Sequence, residues 1–348
     1  MTTPVHRRVV LKNRPAGNPS ASDFAIETAA VPEPGDGQVV LETLFLSLDP
    51  YMGSAIKGRH MSGAVGVGDM MPGDTVGRIV KSRHPGLREG DLVSSRTGWQ
   101  SHALANGSEP AGSGMAVALA PVARRIDTAP GVSPSLFLGV LGMPGLTAYA
   151  GTVDMLEPKP GQTLAVSAAS GAVGSTVGQI ARNMGARVVG IAGSDDKCRF
   201  VVEELGFAAC VNRRKPGWEA DLAAACPDGI DRYFDTVGGP TLEAAMQNLA
   251  MHARIVLCGM MEQYNSPTIL KGPPLGPVMG KRATISGVVV YDHFSKMPRW
   301  RKLGADWIRT GKLVAKEDVV QGLDAAPAAF ARLMAGENFG KVVVAMAA

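Results

Sequence analysis

The pattern of apolar and polar positions divides the chain into two kinds of territory. Over residues 1–120, apolar residues alternate with polar ones at strand period, in runs at 6–12, 38–48, 75–81 and 91–95. Clusters of Pro and Gly separate these runs, as at 31–37 and 84–90, and helical periodicity is scarce. Short strands divided by turn signals predict a closed or partly open β-barrel, which leaves few strand edges unpaired. From about residue 123 the period switches. Strand-like runs at 163–168, 187–192, 208–212, 230–236, 253–259 and 283–290 alternate with helical stretches at 172–184, 195–205, 218–225, 241–251 and 298–310. That alternation predicts a doubly wound parallel sheet of about six strands, an α/β architecture. Residues 260–281 form a Pro/Gly-rich loop long enough for a lid. The tail, 313–348, adds a strand, a helix at 326–334 and a last strand at 341–345.

The sharpest local signal lies where the second territory's first strand ends. Ala169, Gly171 and Gly174 follow that strand at the spacing A-x-G-x-x-G and open a helix that Gly185 can cap. A dinucleotide fingerprint requires this strand–turn–helix setting. A glycine at 171 lets the backbone approach a pyrophosphate, a glycine at 174 lets the helix pack close to the strand, and the N–H groups at the helix start attract the anion. Ala169 stands where the first glycine is usual. The second strand ends at Gly193-Ser194, where an NAD site carries Asp or Glu. Asp195 and Asp196 read as helix-start residues. Lys197, Arg213 and Arg214 can converge on that tip, where a 2′-phosphate would want cations. The expected cofactor is therefore NADP(H) rather than NAD(H).

Composition narrows the classes. With 348 residues, 45% of them hydrophobic, the chain can build one or two packed domains. The net charge of +4 is dispersed, which argues against a nucleic-acid partner. Cys198, Cys210, Cys226 and Cys258 include no C-x-x-C pair and suggest no disulfide framework, which fits a reducing, cytoplasmic setting. The N-terminus lacks an apolar signal core. Residues 128–153 are free of charge but hold three Pro with several Gly, Ser and Thr, so they read as a buried crossover beside the cofactor, with no membrane partner expected.

Metal and hydrolytic chemistry find little support. No Cys precedes Cys198, no G-H-E run occurs, and His60, His84 and His102 are scattered, so no metal site is expected. No G-x-S-x-G elbow appears. The Gly-to-Lys stretches 276–281 and 336–341 are one residue short of a phosphate loop and lack the Ser or Thr after Lys.

Eight segments keep order and rough spacing over nearly the whole chain: FLSLDPYM (45–52), GMPGLTAY (142–149), AASGAVGSTVG (168–178), GSDDK (193–197), YFDTVGG (233–239), LCGMMEQYN (257–265), GVVVY (287–291) and GENFGK (336–341). Through them the chain resembles the zinc-independent branch of the medium-chain dehydrogenase/reductases, within it the prostaglandin reductase and alkenal double-bond reductase family. The resemblance implies a GroES-like β-barrel domain, residues 1–122 completed by 313–348, and a Rossmann domain, 123–312, with NADPH in the cleft between them and a homodimer. It implies that Gly171, Ala172, Val173 and Gly174 face the pyrophosphate and that Lys197, next to Ser194, holds the 2′-phosphate. Arg213 stands where the family usually has Tyr, and Thr236 where it often has Asn. Cys258, Gly259 and Tyr264 would line the path from adenosine to nicotinamide, Val288, Val289 and Val290 would lie by the nicotinamide, and Asn338 would return to the cofactor. Tyr51 is retained from the family's DPYMR, whereas Gly53 replaces its Arg.

Without a metal or a strong acid, a conjugated C=C is easier to reduce than a plain carbonyl. Hydride added to the β-carbon puts negative charge on the carbonyl oxygen, and hydrogen-bond donors placed there lower the barrier. Tyr264 is the first candidate donor and Tyr51 the second, with Tyr291 and the 260–281 loop bordering an enal or enone substrate. A quinone reductase of the same superfamily and a cofactor-binding regulatory protein with little turnover are the alternatives.

Overall fold

The structure, a computed structural model, describes residues 5–346 apart from 113, 129, 267, 269 and 270. The chain divides into two compact units, Met1–Leu138 with Glu317–Ala348, and Gly139–Lys316.

In the first unit, His6–Leu11 and Phe24–Ala29 form an antiparallel hairpin, with His6 opposite Ala29 and Leu11 opposite Phe24. The main sheet has seven strands. Across it run Glu317–Gln321, Lys341–Ala345, Gln38–Ser47, Thr75–Ser82, Leu92–Ser95 and Arg124–Arg125, and His102–Asn106 also pairs with Gln38–Ser47. Gln38–Ser47 is the organising strand. Its pairing with Thr75–Ser82 shifts register at Val40/Leu41 and Thr43/Phe45, so that one half meets His102–Asn106 and the other meets Lys341–Ala345. Its inward residues Val39 and Leu41 pack with Ile79, Val93 and Ala105 in one buried cluster. Nearby, Trp99 stacks on Phe24 at 5.8 Å between ring centroids and meets Phe330 edge-on at 5.6 Å, which seats the helix Ala326–Met334.

Periodicity alone misses Phe24–Ala29, His102–Asn106 and Arg124–Arg125. These strands are short, and their partners rather than their own patterns define them. The first unit also runs past the expected limit of 122, because Arg124–Arg125 pairs with Leu92–Ser95 and the turn Pro134–Leu138 belongs to the same unit. At the other end, 313–316 stay with the second unit rather than with the tail. Val314 N–H donates to Gln179 Oε1 at 2.7 Å, and Gln179 Nε2 donates back to Val314 O at 3.0 Å.

A buried ion pair ties the last strand to the front of this unit. Lys341 Nζ lies 3.0 Å from Asp49 Oδ1, with side chains only 4% and 8% exposed. The ammonium also donates to Leu48 O (2.6 Å) and Val342 O (3.1 Å), and Ser47 Oγ donates to Asp49 Oδ2. Every charge is met by hydrogen bonds, the condition for carrying a desolvated pair.

The second unit holds a six-stranded parallel sheet. Counted along the chain, its strands are Thr163–Ser167, Arg187–Ala192, Ala209–Asn212, Ile230–Asp235, Leu249–Leu257 and Thr284–Gly287, in the spatial order 3-2-1-4-5-6. Buried on both faces, the central strands are nearly continuous apolar runs, as in the fully buried Leu164, Ala165 and Val166. Three expectations need correction. The helix expected over 241–251 is Gly239–Gln247, and Asn248 ends it by donating Nδ2 to Ala244 O at 2.8 Å, so 249–251 start the fifth strand. The loop over 260–281 contains the short helices Met261–Asn265 and Gly276–Lys281. The sixth strand ends at Gly287, and Val290–Lys296 turns into a 3₁₀ helix.

The uncharged stretch 128–153 crosses from one unit into the next and includes the helix Met143–Tyr149. Tyr149 stacks on Trp300 at 5.2 Å, and Trp300 Nε1 donates to Val140 O at 2.8 Å. Among the described residues, no helix is long and apolar enough to cross a membrane.

Removing one partner of the Lys341–Asp49 pair strands a buried charge. Asp49→Ala is expected to lower the unfolding free energy by ~3–5 kcal/mol, read from urea denaturation, and adding Lys341→Met should recover most of the loss.

Candidate active site

In the second unit the strand order reverses between Thr163–Ser167 and Ile230–Asp235. A doubly wound sheet opens a ligand crevice at the carboxyl ends of the strands flanking such a reversal. The fingerprint turn leaves the first of these strands. Ala168 takes a positive φ of 47°, Gly171 N–H returns to Ala168 O at 2.8 Å, and the helix Ala172–Asn183 begins with no side chain capping it. The leading N–H groups, those of Ala172, Val173 and Gly174, therefore head a helix whose dipole favours an anion. A Cβ on Gly174 would stand 2.8 Å from Ser167 O, so the turn itself requires that glycine, and one on Gly171 would press on Ala168 O at 3.1 Å. Ala169 replaces the first fingerprint glycine without a clash because Gly190 faces it. A Cβ on Gly190 would sit 2.8 Å from the Ala169 Cβ.

A buried carboxylate joins the two flanking strands. Asp235, fully buried, accepts from Ser167 Oγ (2.9 Å), Tyr233 Oη (3.0 Å), Gly238 N–H (2.8 Å) and Val237 N–H (3.3 Å). Ser167 Oγ in turn accepts from Thr236 N–H at 2.8 Å. Burial pushes the Asp235 carboxyl above the usual carboxylate range, while these donors oppose the shift. Burial, then the neighbouring Asp235, pushes the Tyr233 phenol well up.

The ends of strands four to six bring together most of the residues expected along the nicotinamide path. Cys258 N–H donates to Asp235 O at 2.8 Å, and desolvation followed by the Asp235 charge pushes its thiol up to about 12. Tyr264 lies on the short helix Met261–Asn265, anchored by its N–H to Met260 O at 3.0 Å. A Cβ on Gly259 would stand 3.3 Å from both the Tyr264 hydroxyl and Thr236 O, so the absent side chain makes room for that hydroxyl. Desolvation raises the Tyr264 phenol, which keeps it a proton-bearing donor. Val288 N–H bonds Leu257 O at 2.9 Å, placing Val288, Val289 and Val290 beside strand five's end.

At the tip of the second strand, Ser194 caps the helix Asp195–Glu203 by accepting Lys197 N–H at 3.3 Å. The three expected cations are arranged unequally. Arg213 pairs with Glu262 at 3.0 Å, whereas Arg214 lies over the tip, its Nε 3.6 Å from where a Gly193 Cβ would be. Asp195, expected as a helix-start residue, also holds Lys215 at 2.8 Å.

Asn338 and Tyr51 belong to the first unit. The Asn338 amide donates to Gly340 O at 2.8 Å. The Tyr51 hydroxyl accepts from Arg96 Nη2 at 2.9 Å, and Arg96 pairs with Asp74 at 3.4 Å. Arg96 has no acceptor, so in this bond the phenol oxygen is the acceptor. The His60 ring lies 4.9 Å from that of Tyr51, and burial followed by the Arg96 charge lowers its pKa. Arg96 sits in a run without a recognisable motif, 45 residues from Tyr51, and no sequence signal links them. At Gly53, a Cβ would press on Met334, whose Sδ would be 3.1 Å away; Met334 fills the space. Among the described residues no group of three or more His, Cys, Asp or Glu could hold a metal ion.

A parallel 3-2-1-4-5-6 sheet with a fingerprint at its switch point, together with a separate mixed-sheet unit, defines a two-domain dinucleotide-binding fold. Comparison with known proteins agrees. The N-terminal domain of oxidoreductase family matches residues 7–112, and the zinc-binding dehydrogenase family matches residues 172–308. The NADPH-dependent curcumin reductase of Escherichia coli (strain K12) is 39% identical over 98% of this chain and 97% of its own. The NADP(+)-dependent 2-alkenal reductase of Nicotiana tabacum is 37% identical over 97% of each. The crystal structure of CurA from Vibrio vulnificus in complex with NADPH superposes with a TM-score of 0.89, at 38% identity, over 98% of this chain and 99% of that one. The chain belongs to the zinc-independent medium-chain dehydrogenase/reductases.

Asp235→Ala would leave several buried donors unpaired, at about 1–3 kcal/mol each. It is expected to lower stability by ~3 kcal/mol or more, with Asp235→Asn falling between it and wild type, as measured by chemical denaturation.

Proposed function

We propose that this protein reduces the C=C bond of α,β-unsaturated aldehydes and ketones, with NADPH as hydride donor. The observation that carries the cofactor part of the reading is the helix start at 171–174, set at the sheet's switch point with no side chain capping it. Relatives named as NADPH-dependent curcumin reductase and 2-alkenal reductase support it.

The residues present fit the dinucleotide. The N–H groups of Ala172, Val173 and Gly174 would hold the pyrophosphate. Lys197 and Arg214, with Ser194, would hold the 2′-phosphate, and Arg213 would join them only by leaving Glu262. Thr236, Cys258 and Gly259 would line the path inward, Val288, Val289 and Val290 would wall the nicotinamide, and Asn338 would bind from the first unit. When bound, NADPH supplies the hydride that adds to the substrate's β-carbon. The chain's own task is to stabilise the negative charge that gathers on the carbonyl oxygen. Tyr264 is our first donor to that oxygen, because its phenol stays protonated. Tyr51 is the second, because the Arg96 guanidinium bonded to its oxygen strengthens the phenol as a donor. Neither role calls for a metal. Four cysteines without a C-x-x-C pair fit a reducing cytoplasm, and a homodimer is proposed on the resemblance alone.

Tyr264→Phe is expected to lower kcat for a simple enone by ~10²-fold, the scale of one lost oxyanion donor, with the NADPH Kd nearly unchanged. Unchanged kcat would remove Tyr264 from the chemistry. Lys197→Ala should raise KM for NADPH and leave NADH use unaltered, and equal use of both by wild type would overturn the NADP assignment. An NADPH-consumption screen over enals, enones, quinones and saturated alcohols checks the substrate class, and a clear preference for quinones would refute it.

A further inference from the structure

We propose that Cys198 and Cys210 form an oxidative modification site, at which a hydroperoxide closes a reversible disulfide that weakens nucleotide binding at the adjoining strand tip. The effect on the nucleotide rests on the cofactor reading above; the disulfide does not.

The two thiols belong to different elements. Cys198 lies on the first turn of the helix Asp195–Glu203, and Cys210 on the strand Ala209–Asn212. Their sulfurs are 3.0 Å apart, with the Cys210 S–H directed at Cys198. The missing side chain at Gly190 leaves room for the Cys210 sulfur, which lies 3.1 Å from where a Cβ there would be. All four cysteines are free, and both members of this pair are partly exposed.

The pair is asymmetric in the way that disulfide formation requires. The bond from Cys210 stabilises negative charge on Cys198 against the opposing effects of burial and the Asp195 charge, and Lys215 and the Ala192 backbone add to it, so the Cys198 thiol lies below its ordinary range. The same bond pushes Cys210 up. Cys198 is thus the attacking sulfur and Cys210 the resolving one. The other two thiols are poor competitors: burial pushes Cys226 up to about 11 and Cys258 to about 12.

In the first step the Cys198 thiolate attacks a peroxide oxygen. The O–O bond breaks, the alkoxide or hydroxide leaves and takes up a proton, and Cys198 becomes a sulfenic acid. The Cys210 sulfur then attacks the Cys198 sulfur, the S–O bond breaks, and water leaves with the Cys210 proton as the S–S bond forms. In sum, two thiols lose two electrons, and one hydroperoxide becomes an alcohol (or water) and water.

Closing the gap from 3.0 Å to a bond of about 2.05 Å draws the two segments together. Those segments carry the cations of the strand tip. Ser194 and Lys197 share the turn with Cys198, and Cys210 leads into Asn212, Arg213 and Arg214. They already interlock, because Asn212 Nδ2 donates to Asp195 Oδ1 at 3.1 Å and Asn212 Oδ1 accepts Arg214 N–H at 3.1 Å. A contraction here shifts Lys197 and Arg214 relative to each other and spoils their common grip on a phosphate.

The full-length protein is treated with dilute hydrogen peroxide, then studied by intact mass, thiol titration, peptide mapping and NADPH titration by fluorescence. The expected result is a loss of about 2 Da, half of the titratable thiols gone, a peptide linking Cys198 to Cys210, and an NADPH Kd raised several-fold. Dithiothreitol should reverse all four changes. Cys198→Ser and Cys210→Ser should bind NADPH as the reduced wild type does, and peroxide should leave their Kd unmoved. An unchanged thiol count, loss of Cys226 or Cys258 instead, or a Cys198–Cys210 disulfide with an unaltered Kd would each overturn the proposal. A reduced protein that binds no NADPH would sink the cofactor reading alone, with mass and thiol count still deciding the disulfide.

Discussion

The nucleotide-binding unit is organised around one buried carboxylate. Asp235 is wholly removed from water, and the donors that compensate it come from the strand across the switch point, from its own strand and from the turn that follows. An isolated carboxylate in such a place would be prohibitively costly. Its hydrogen bonds therefore hold the ends of strands one and four in one arrangement, as a satisfied buried network does. The fingerprint turn leaves from Ser167 and the Thr236–Gly239 turn leaves from Asp235, so both walls of the crevice start from the same knot. The Tyr264 hydroxyl comes near because Gly259, with no side chain, leaves room between it and Thr236 O.

Close packing at the fingerprint follows a rule of conserved volume rather than conserved residue. The side chain that Ala169 adds, relative to the usual glycine, is given back at Gly190 on the next strand. The same exchange occurs in the first unit, where Met334 fills the space beside Gly53 that a longer side chain would need. A departure from a familiar motif is thus compensated by a contact partner that is remote in sequence.

The first unit solves its electrostatics in two ways. Lys341 and Asp49 are fully enclosed, and their hydrogen bonds fasten the chain's last strand to its early segment. Arg96 is divided between Asp74 and the Tyr51 phenol, so a structural ion pair and a candidate donor share one guanidinium. The fork of five donors on Arg suits it to this shared role.

Much of the second unit is legible along the chain. The central parallel strands are buried apolar runs and the longer helices carry start or stop signals, so local pattern suffices to count the strands, though not the short helices Met261–Asn265 and Gly276–Lys281, and the spacing from Ala169 to Gly174 marks the turn. The residues near that turn are legible too, since the fingerprint is contiguous. Contacts between distant positions are not. The Asp235–Ser167 bond, the Arg96–Tyr51 bond, the position of Arg214 over the strand tip and the meeting of Cys198 with Cys210 are all made by strand order and register. So are the strands that exist only through their partners, such as Arg124–Arg125. Hydrophobic period and turn chemistry are properties of neighbouring residues, and the sequence by itself determined them. Which polar side chains share a buried space depends on how the sheets stack, and only the tertiary structure decided that.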